Sequence, residues 1–171
     1  MLRRFGHMIK KFLAFLLCAG LMFFSLPQSV QAADDYTYID ENGDIRTTQG
    51  LSVTPITPAT NTLTSGWYIL DSNVTRSTIN VSGSANLILV DGYTLEVTGS
   101  DNNAGVQVIS GNSLTIYGQA GGTGKIDAQG DLYGAGIGGG EDGTGGNITI
   151  NGGNITASGG NCAAGIGGGE R

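Results

Sequence analysis

The chain has 171 residues, of which 31 are glycine, with 14 acidic side chains, eight basic side chains and one histidine. Four basic residues and the histidine lie within the first eleven positions, so residues 33–171 carry a formal charge of −10. Such an acidic chain excludes nucleic acid as an expected partner and disfavours anionic membranes. It allows cations, or surfaces that bear them.

Residues 1–32 have the three-part pattern of a secretory signal peptide. A basic start is followed by the uncharged apolar run 12–26, and the small residues Val30 and Ala32 precede the predicted cleavage site. The run is short for a membrane span, although an uncleaved anchor is the alternative. We therefore expect a protein that is secreted, extracellular or on the cell surface, with no membrane contact after cleavage. Cys162 is then the only cysteine, and without a histidine beside it we interpret it as a small residue of a repeat rather than a nucleophile.

The next segment, 33–65, is polar, and we expect it to be a linker or only partly ordered. Its "DENGD" stretch predicts the turn of a small hairpin between "YTYI" and "IRTT". The folded domain is expected over 66–171, with its first strands near Trp67–Leu70 and Ile79–Val81. Trp67 is predicted to cover the N-terminal end of that domain, and a binding-site tryptophan is the alternative.

The domain contains an internal repeat of three short segments. "GAGIGGGE" (134–141) returns as "AAGIGGGE" (163–170), and "GKIDAQG" (124–130) returns as "GNITASG" (153–159), both 29 residues later. "NSLTIYG" (112–118) matches "GNITING" (146–152), and 86–111 form an older copy. Every segment alternates apolar and polar residues, which indicates half-buried strands.

Three strands in each repeat, separated by glycine or asparagine turns, are typical of one rung of a parallel β-helix. The sequence therefore predicts an all-β, right-handed parallel β-helix of about three to four rungs, each with three short strands. Matching the segments stacks apolar residues in three inward ladders. The expected ladders are Leu87–Leu114–Ile148, Leu95–Ile126–Ile155 and Val106–Ala135–Ala164.

Gly134, Gly136 and Gly139 match the G-x-G-x-x-G dinucleotide fingerprint. That fingerprint needs a helix directly after it, whereas "EDGTGGNITINGG" has no helical period. The pattern also returns in the next repeat, with Ala163 at its first glycine. We interpret these glycines as corners between strands, with Ile137 and Ile166 pointing into the core, and we expect no nucleotide cofactor.

Candidate site residues are few and fall in turns and strand ends. Calcium is the one cofactor that the carboxylates would suit, and the three tyrosines outside the N-terminal region could stack on a sugar. No catalytic residue is assigned, because solvated turn charges explain the acids better. The candidates are Asp127, Asp131, Glu141 and Asp142 for metal, and Tyr93, Tyr117 and Tyr133 for glycan contact.

The units "GTGKIDA", "GAGIGGG" and "GGNITINGGNITASGGN" resemble those of secreted bacterial repeat proteins with "GGxIxAxGG…AGIGGG" units. These are described as carbohydrate-binding-domain or right-handed parallel β-helix surface proteins. The resemblance covers about 66–171 and implies extracellular display, with no ligand residue to carry over.

Three functions fit the sequence. The leading expectation is a non-catalytic module that binds polysaccharide or surface glycan, or mediates adhesion. The alternatives are a fragment of a pectate-lyase-like polysaccharide-degrading enzyme, with a base such as Lys125 or Arg76, and a passive structural stalk. Because the chain stops at Arg171 in the middle of a predicted corner, further repeats or domains are expected downstream.

Overall fold

The computed structural model describes residues 35–170, and the predicted signal peptide, 1–32, lies outside them. Within this range the regular structure consists of β-strands. They are β1 (Thr37–Ile39), β2 (Ile45–Thr47), β3 (Val53–Pro55), β4 (Thr62–Leu63), β5 (Gly66–Leu70), β6 (Val74–Ser77), β7 (Ile79–Val81), β8 (Ser84–Leu89), β9 (Thr94–Thr98), β10 (Val106–Gln107), β11 (Ser113–Gly118), β12 (Lys125–Gln129), β13 (Ile137–Gly138), β14 (Asn147–Ile150), β15 (Asn154–Ser158) and β16 (Ile166–Gly167).

Strands β3 to β16 form three parallel sheets, and the chain visits the sheets in turn. Sheet 1 contains β3, β5, β8, β11 and β14; sheet 2 contains β6, β9, β12 and β15; sheet 3 contains β4, β7, β10, β13 and β16. Four successive rungs, β5–β7, β8–β10, β11–β13 and β14–β16, each supply one strand to every sheet. The prediction of an all-β parallel β-helix is therefore confirmed, while its handedness stays a prediction.

The core lies inside the winding and is built by the alternation of side chains along each strand. Ladders such as Leu95–Ile126–Ile155 in sheet 2 and Ile79–Val106–Ile137–Ile166 in sheet 3 stack like residues at the strand spacing of about 4.8 Å. Ile126 and Ile137 are fully buried in this core. No single rung could bury these residues alone, so stacking of the rungs holds the fold together.

The predicted stacking register is confirmed for β9, β12 and β15 in sheet 2, for β11 with β14 in sheet 1 and for β13 with β16 in sheet 3. It is wrong by two residues between β8 and β11 and between β10 and β13. Leu87 lies beside Ile116 rather than Leu114, and Val106 lies beside Ile137 rather than Ala135. A shift of two residues keeps every side chain on its predicted face, so alternation alone cannot detect it. The lengths of the turns between strands decide the register.

The sheets begin before residue 66, because β3 and β4 pair with β5 and β7. The loop between them buries Ile56, and Leu63 is buried as well, at the N-terminal end of the core. Arg76 holds this loop by donating to the carbonyl of Pro58 and to Asn61 Oδ1. This segment covers the N-terminal end of the β-helix. The Trp67 ring lies instead on the outer side of sheet 1, against Tyr38 and Tyr117, so the prediction that Trp67 covers that end is wrong.

The predicted hairpin is present, with β1 and β2 pairing antiparallel around the 40–44 turn. It packs on the outer surface of sheet 1, where the Tyr38 ring contacts Trp67 and Tyr117 at centroid distances of 5.2 and 5.0 Å. Ile69 and Ile88 occupy outward positions of this sheet and yet are 1% and 0% exposed. The hairpin and the aromatic rings therefore form a second, smaller apolar cluster outside the main core.

Candidate functional site

The outer faces of the three sheets differ in what covers them. Sheet 1 carries the hairpin on its outer side. The strands of sheet 3 that lie in the last three rungs have only two residues each, and glycine occupies the outward positions of β13 and β16. Sheet 2 has four- and five-residue strands whose outward side chains are exposed or half-buried, and no described element packs over them, whereas the hairpin covers part of the outer face of sheet 1.

This outer face of sheet 2 is a grid of polar side chains. Its three columns run across the strands in register, and every position has a hydrogen-bonding or charged group. The columns are Thr94–Lys125–Asn154, Thr75–Glu96–Asp127–Thr156 and Ser77–Thr98–Gln129–Ser158. Neighbours are about 4.8 Å apart across strands and about 6.6 Å apart along them.

The groups of the grid are held by contacts to one another. Thr75 Oγ1 donates to Glu96 Oε2 at 3.0 Å, and Lys125 Nζ lies 3.0 Å from Asp127 Oδ2. The Thr94 backbone N–H donates to Asn73 Oδ1 at 2.8 Å, which fixes the start of β9. Threonine is β-branched and has few rotamers in a strand, so the hydroxyl groups are held in place before any ligand arrives.

Of the predicted metal ligands, Asp127 lies on this grid and the other three lie at a corner beyond the end of sheet 2. Asn102 joins two of them, because its backbone N–H donates to Asp131 Oδ2 at 2.9 Å and its Nδ2 donates to Glu141 Oε2 at 2.8 Å. The N–H groups of Asn102 and Leu132 hold the pKa of Asp131 below its usual value.

Asp131 and Glu141 each accept a hydrogen bond from Asn102, so these two carboxylates help to hold the corner together. Asp142 occupies a left-handed turn position with φ of 55°. Within residues 35–170, no three His, Cys, Asp or Glu side chains come together to hold a metal ion. Calcium binding by these carboxylates stays a prediction.

The three predicted tyrosines do not form one surface. Tyr117 stacks on Trp67 at 5.3 Å between ring centroids and belongs to the cluster under the hairpin, where burial raises the pKa of its hydroxyl. Tyr93 is exposed at the turn before β9, and Tyr133 is half-buried at the glycine-rich corner. None of the three lies on the grid of sheet 2.

The fingerprint glycines are explained by close approach of the backbone. A Cβ atom added at Gly134 would lie 2.1 Å from the carbonyl oxygen of Asn103, and one at Gly139 would lie 2.1 Å from that of Gly143. Gly136 would meet Gly165 O at 2.7 Å. No helix follows, since the next element is β14. Ile137 points into the core as predicted, whereas its counterpart Ile166 in the last rung is 45% exposed.

Sequence reasoning did not single out most of the grid. A signal for it existed, because the alignment of Leu95, Ile126 and Ile155 was correct and places Glu96, Asp127 and Thr156 side by side on the opposite face. What the alignment could not show is that the hairpin packs on part of the outer face of sheet 1 and leaves the outer face of sheet 2 uncovered.

Comparison with known proteins agrees with the class of fold, a parallel β-helix. The sequence profile of the family described as "Beta helix repeat" matches residues 108–141 and 148–170, which include most of the last two rungs. Neither the curated proteins nor the solved structures give a match. Residues 35–170 contain no helix long and apolar enough to cross a membrane.

Proposed function

We propose that this protein is a non-catalytic, cell-surface or secreted module that binds polysaccharide through the outer face of sheet 2. The observation that carries the proposal is the open grid of eleven polar side chains held in register on four strands. A polysaccharide is itself a repeating array of hydroxyl groups, so regularly spaced donors and acceptors can bind several sugar units at once.

The rigidity of the β-helix supports this proposal. The grid strands pair in register with one another, and the side chains behind the grid are packed in the core or against it. Binding therefore orders few groups of the protein, which leaves more of the hydrogen-bond energy for affinity.

Retention of the purified protein on a panel of insoluble and immobilised polysaccharides tests the proposal. The paired substitution Thr98→Ala with Gln129→Ala removes two adjacent hydrogen-bonding groups from the grid. Because each lost bond contributes about 0.5–1.5 kcal/mol, affinity is expected to fall about tenfold or more. The matched control is Ser84→Ala with Thr149→Ala, which removes two exposed hydroxyl groups from the outer face of sheet 1.

The results of this retention experiment distinguish a binding module from a structural stalk and from a polysaccharide-degrading enzyme. Loss of retention in the grid variant but not in the control supports a binding face on sheet 2. Equal retention of both variants shows that the ligand binds elsewhere. Failure of the folded protein to bind any member of the panel leaves a structural stalk, and release of new unsaturated or reducing ends indicates a polysaccharide-degrading enzyme.

A further inference from the structure

The excess of acidic over basic side chains in the described chain indicates which charge a polysaccharide ligand should carry. Residues 35–170 contain thirteen acidic and three basic side chains, a formal charge of −10. Each of the three basic side chains already contacts the protein itself. Arg46 pairs with Asp40 and Asp44, Lys125 pairs with Asp127, and Arg76 donates to the 58–61 loop. Each of the three basic side chains is therefore already paired or hydrogen-bonded within the chain.

The grid of sheet 2 also has more negative than positive charge. Lys125 balances the charge of Asp127 at 3.0 Å, but no cation lies within ion-pair distance of Glu96 in the described chain. Glu96 is exposed at the centre of the face and receives a single side-chain hydrogen bond, from Thr75. It also lies directly beside Asp127 in the ladder. Glu96 and Asp127 together carry two negative charges, and Lys125 supplies one positive charge beside Asp127. The middle of the grid therefore has a net negative charge.

We propose, on the basis of the binding function above, that the ligand of this face is a polysaccharide that bears free amino groups. Its ammonium groups bind the Glu96 carboxylate and the Asp127 carboxylate oxygen that does not pair with Lys125. Its hydroxyl groups bind the threonine, serine and glutamine side chains around these two residues. A hydrogen bond between an ammonium and a carboxylate is stronger than one between neutral groups, so the amino polymer is preferred over its acetylated form. The overall negative charge repels acidic polysaccharides and speeds the approach of cationic ones.

Two other sources of positive charge are less suited to the face. A metal ion needs several converging ligands, and no group of three such side chains exists among the described residues. A basic peptide would use the carboxylates but not the columns of hydroxyl and amide groups beside them. Polylysine therefore serves as a competitor in the test.

The experiment measures binding of the purified protein to polyglucosamine, to the same polymer after N-acetylation, and to polygalacturonate, each with a chelator present. Polyglucosamine is expected to bind about tenfold more tightly than the acetylated polymer, and the difference should shrink as salt is added. Polygalacturonate should not bind. Polylysine of equal charge should compete less well than soluble polyglucosamine.

Two variants with opposite expected effects tie the result to the grid. Glu96→Gln should weaken binding to polyglucosamine about two- to fivefold, in line with the loss of one exposed ion pair. Lys125→Gln frees Asp127 and should strengthen binding by a similar factor, a gain that misfolding cannot produce. Glu41→Gln in the hairpin changes the net charge as much as Glu96→Gln does and is expected to leave affinity nearly unchanged.

The proposal is overturned by equal binding to the two forms of the polymer, by full competition from polylysine, or by equal effects of Glu96→Gln and Glu41→Gln. In each of those cases polysaccharide binding itself can still hold through neutral contacts or another surface. Absence of binding to all three polymers and to the wider panel overturns both proposals together.

Discussion

Substitution of Gly136 by alanine tests whether the glycine-rich segments are architecture. Gly136 lies where sheet 2 turns into sheet 3, and its counterparts in the neighbouring rungs are Gly105 and Gly165. An added Cβ would lie 2.7 Å from Gly165 O, 2.7 Å from Ser158 N and 2.9 Å from Ala128 O. All three are backbone atoms, so no flexible side chain can move aside.

The expected loss of stability in Gly136→Ala follows from those distances. Ordinary contacts of a Cβ atom begin near 3.4 Å, so two adjacent rungs must separate by several tenths of an ångström at this corner. Overpacking of this kind costs typically 1–3 kcal/mol, and contacts with backbone on two sides place Gly136→Ala near the upper half of that range. For a domain of this size the melting temperature should fall by about 6–15 °C.

Thermal unfolding followed by circular dichroism measures the effect. Gly122→Asn is the control, because Gly122 has a φ of 63°, which asparagine accepts, and open space around it. It should melt within about 2 °C of the wild type. An equally small change for Gly136→Ala would refute the steric explanation. A melting temperature that rises on addition of a dinucleotide would refute it independently, because a specific ligand stabilises the folded state.

Three further results are expected. Ile126→Ala, at a fully buried position between Leu95 and Ile155, should lower the free energy of unfolding in urea by about 2–5 kcal/mol, and a loss below 1 kcal/mol would contradict a packed core there. Tyr38→Ala should loosen the hairpin and shift the emission of Trp67, the only tryptophan in the chain, to longer wavelength; unchanged emission would show that the cluster does not depend on Tyr38. The pKa of Asp91 is lowered by the N–H groups of Thr123 and Gly121, so its stabilising effect is present above the ordinary aspartate pKa near 3.8 and is lost as the pH falls through the lower folded value. The melting temperature should therefore drop more steeply below about pH 4 in the wild type than in Asp91→Asn, and parallel curves would contradict this assignment.

Much of the fold could be predicted because the signals are local. Alternation along strands such as Leu95–Val97 and Ile126–Ala128 identifies the inward face, and a repeat of 29 residues aligns one rung with the next. The hairpin at 40–44 has its own turn sequence. Of the predicted site residues, Asp127 lies on the outer face of sheet 2, Tyr117 lies in β11 under the hairpin, and the others lie in turns. Exposed acids and tyrosines look alike in sequence whether or not they share a surface.

The sequence by itself determined the class of fold, the inward residues and the structural use of the glycines, because periodicity and the absence of a side chain act within a few residues. The tertiary structure decided the register between β8 and β11 and between β10 and β13, since a slip of two residues preserves every face and only turn length and packing choose between the alternatives. It also decided which outer face is open. Ile69 and Ile88 are buried because a hairpin more than 20 residues earlier in the chain folds over them, while no described element covers Glu96 and its neighbours. Contacts between segments so distant in sequence depend on the whole chain being folded, and no local pattern encodes them.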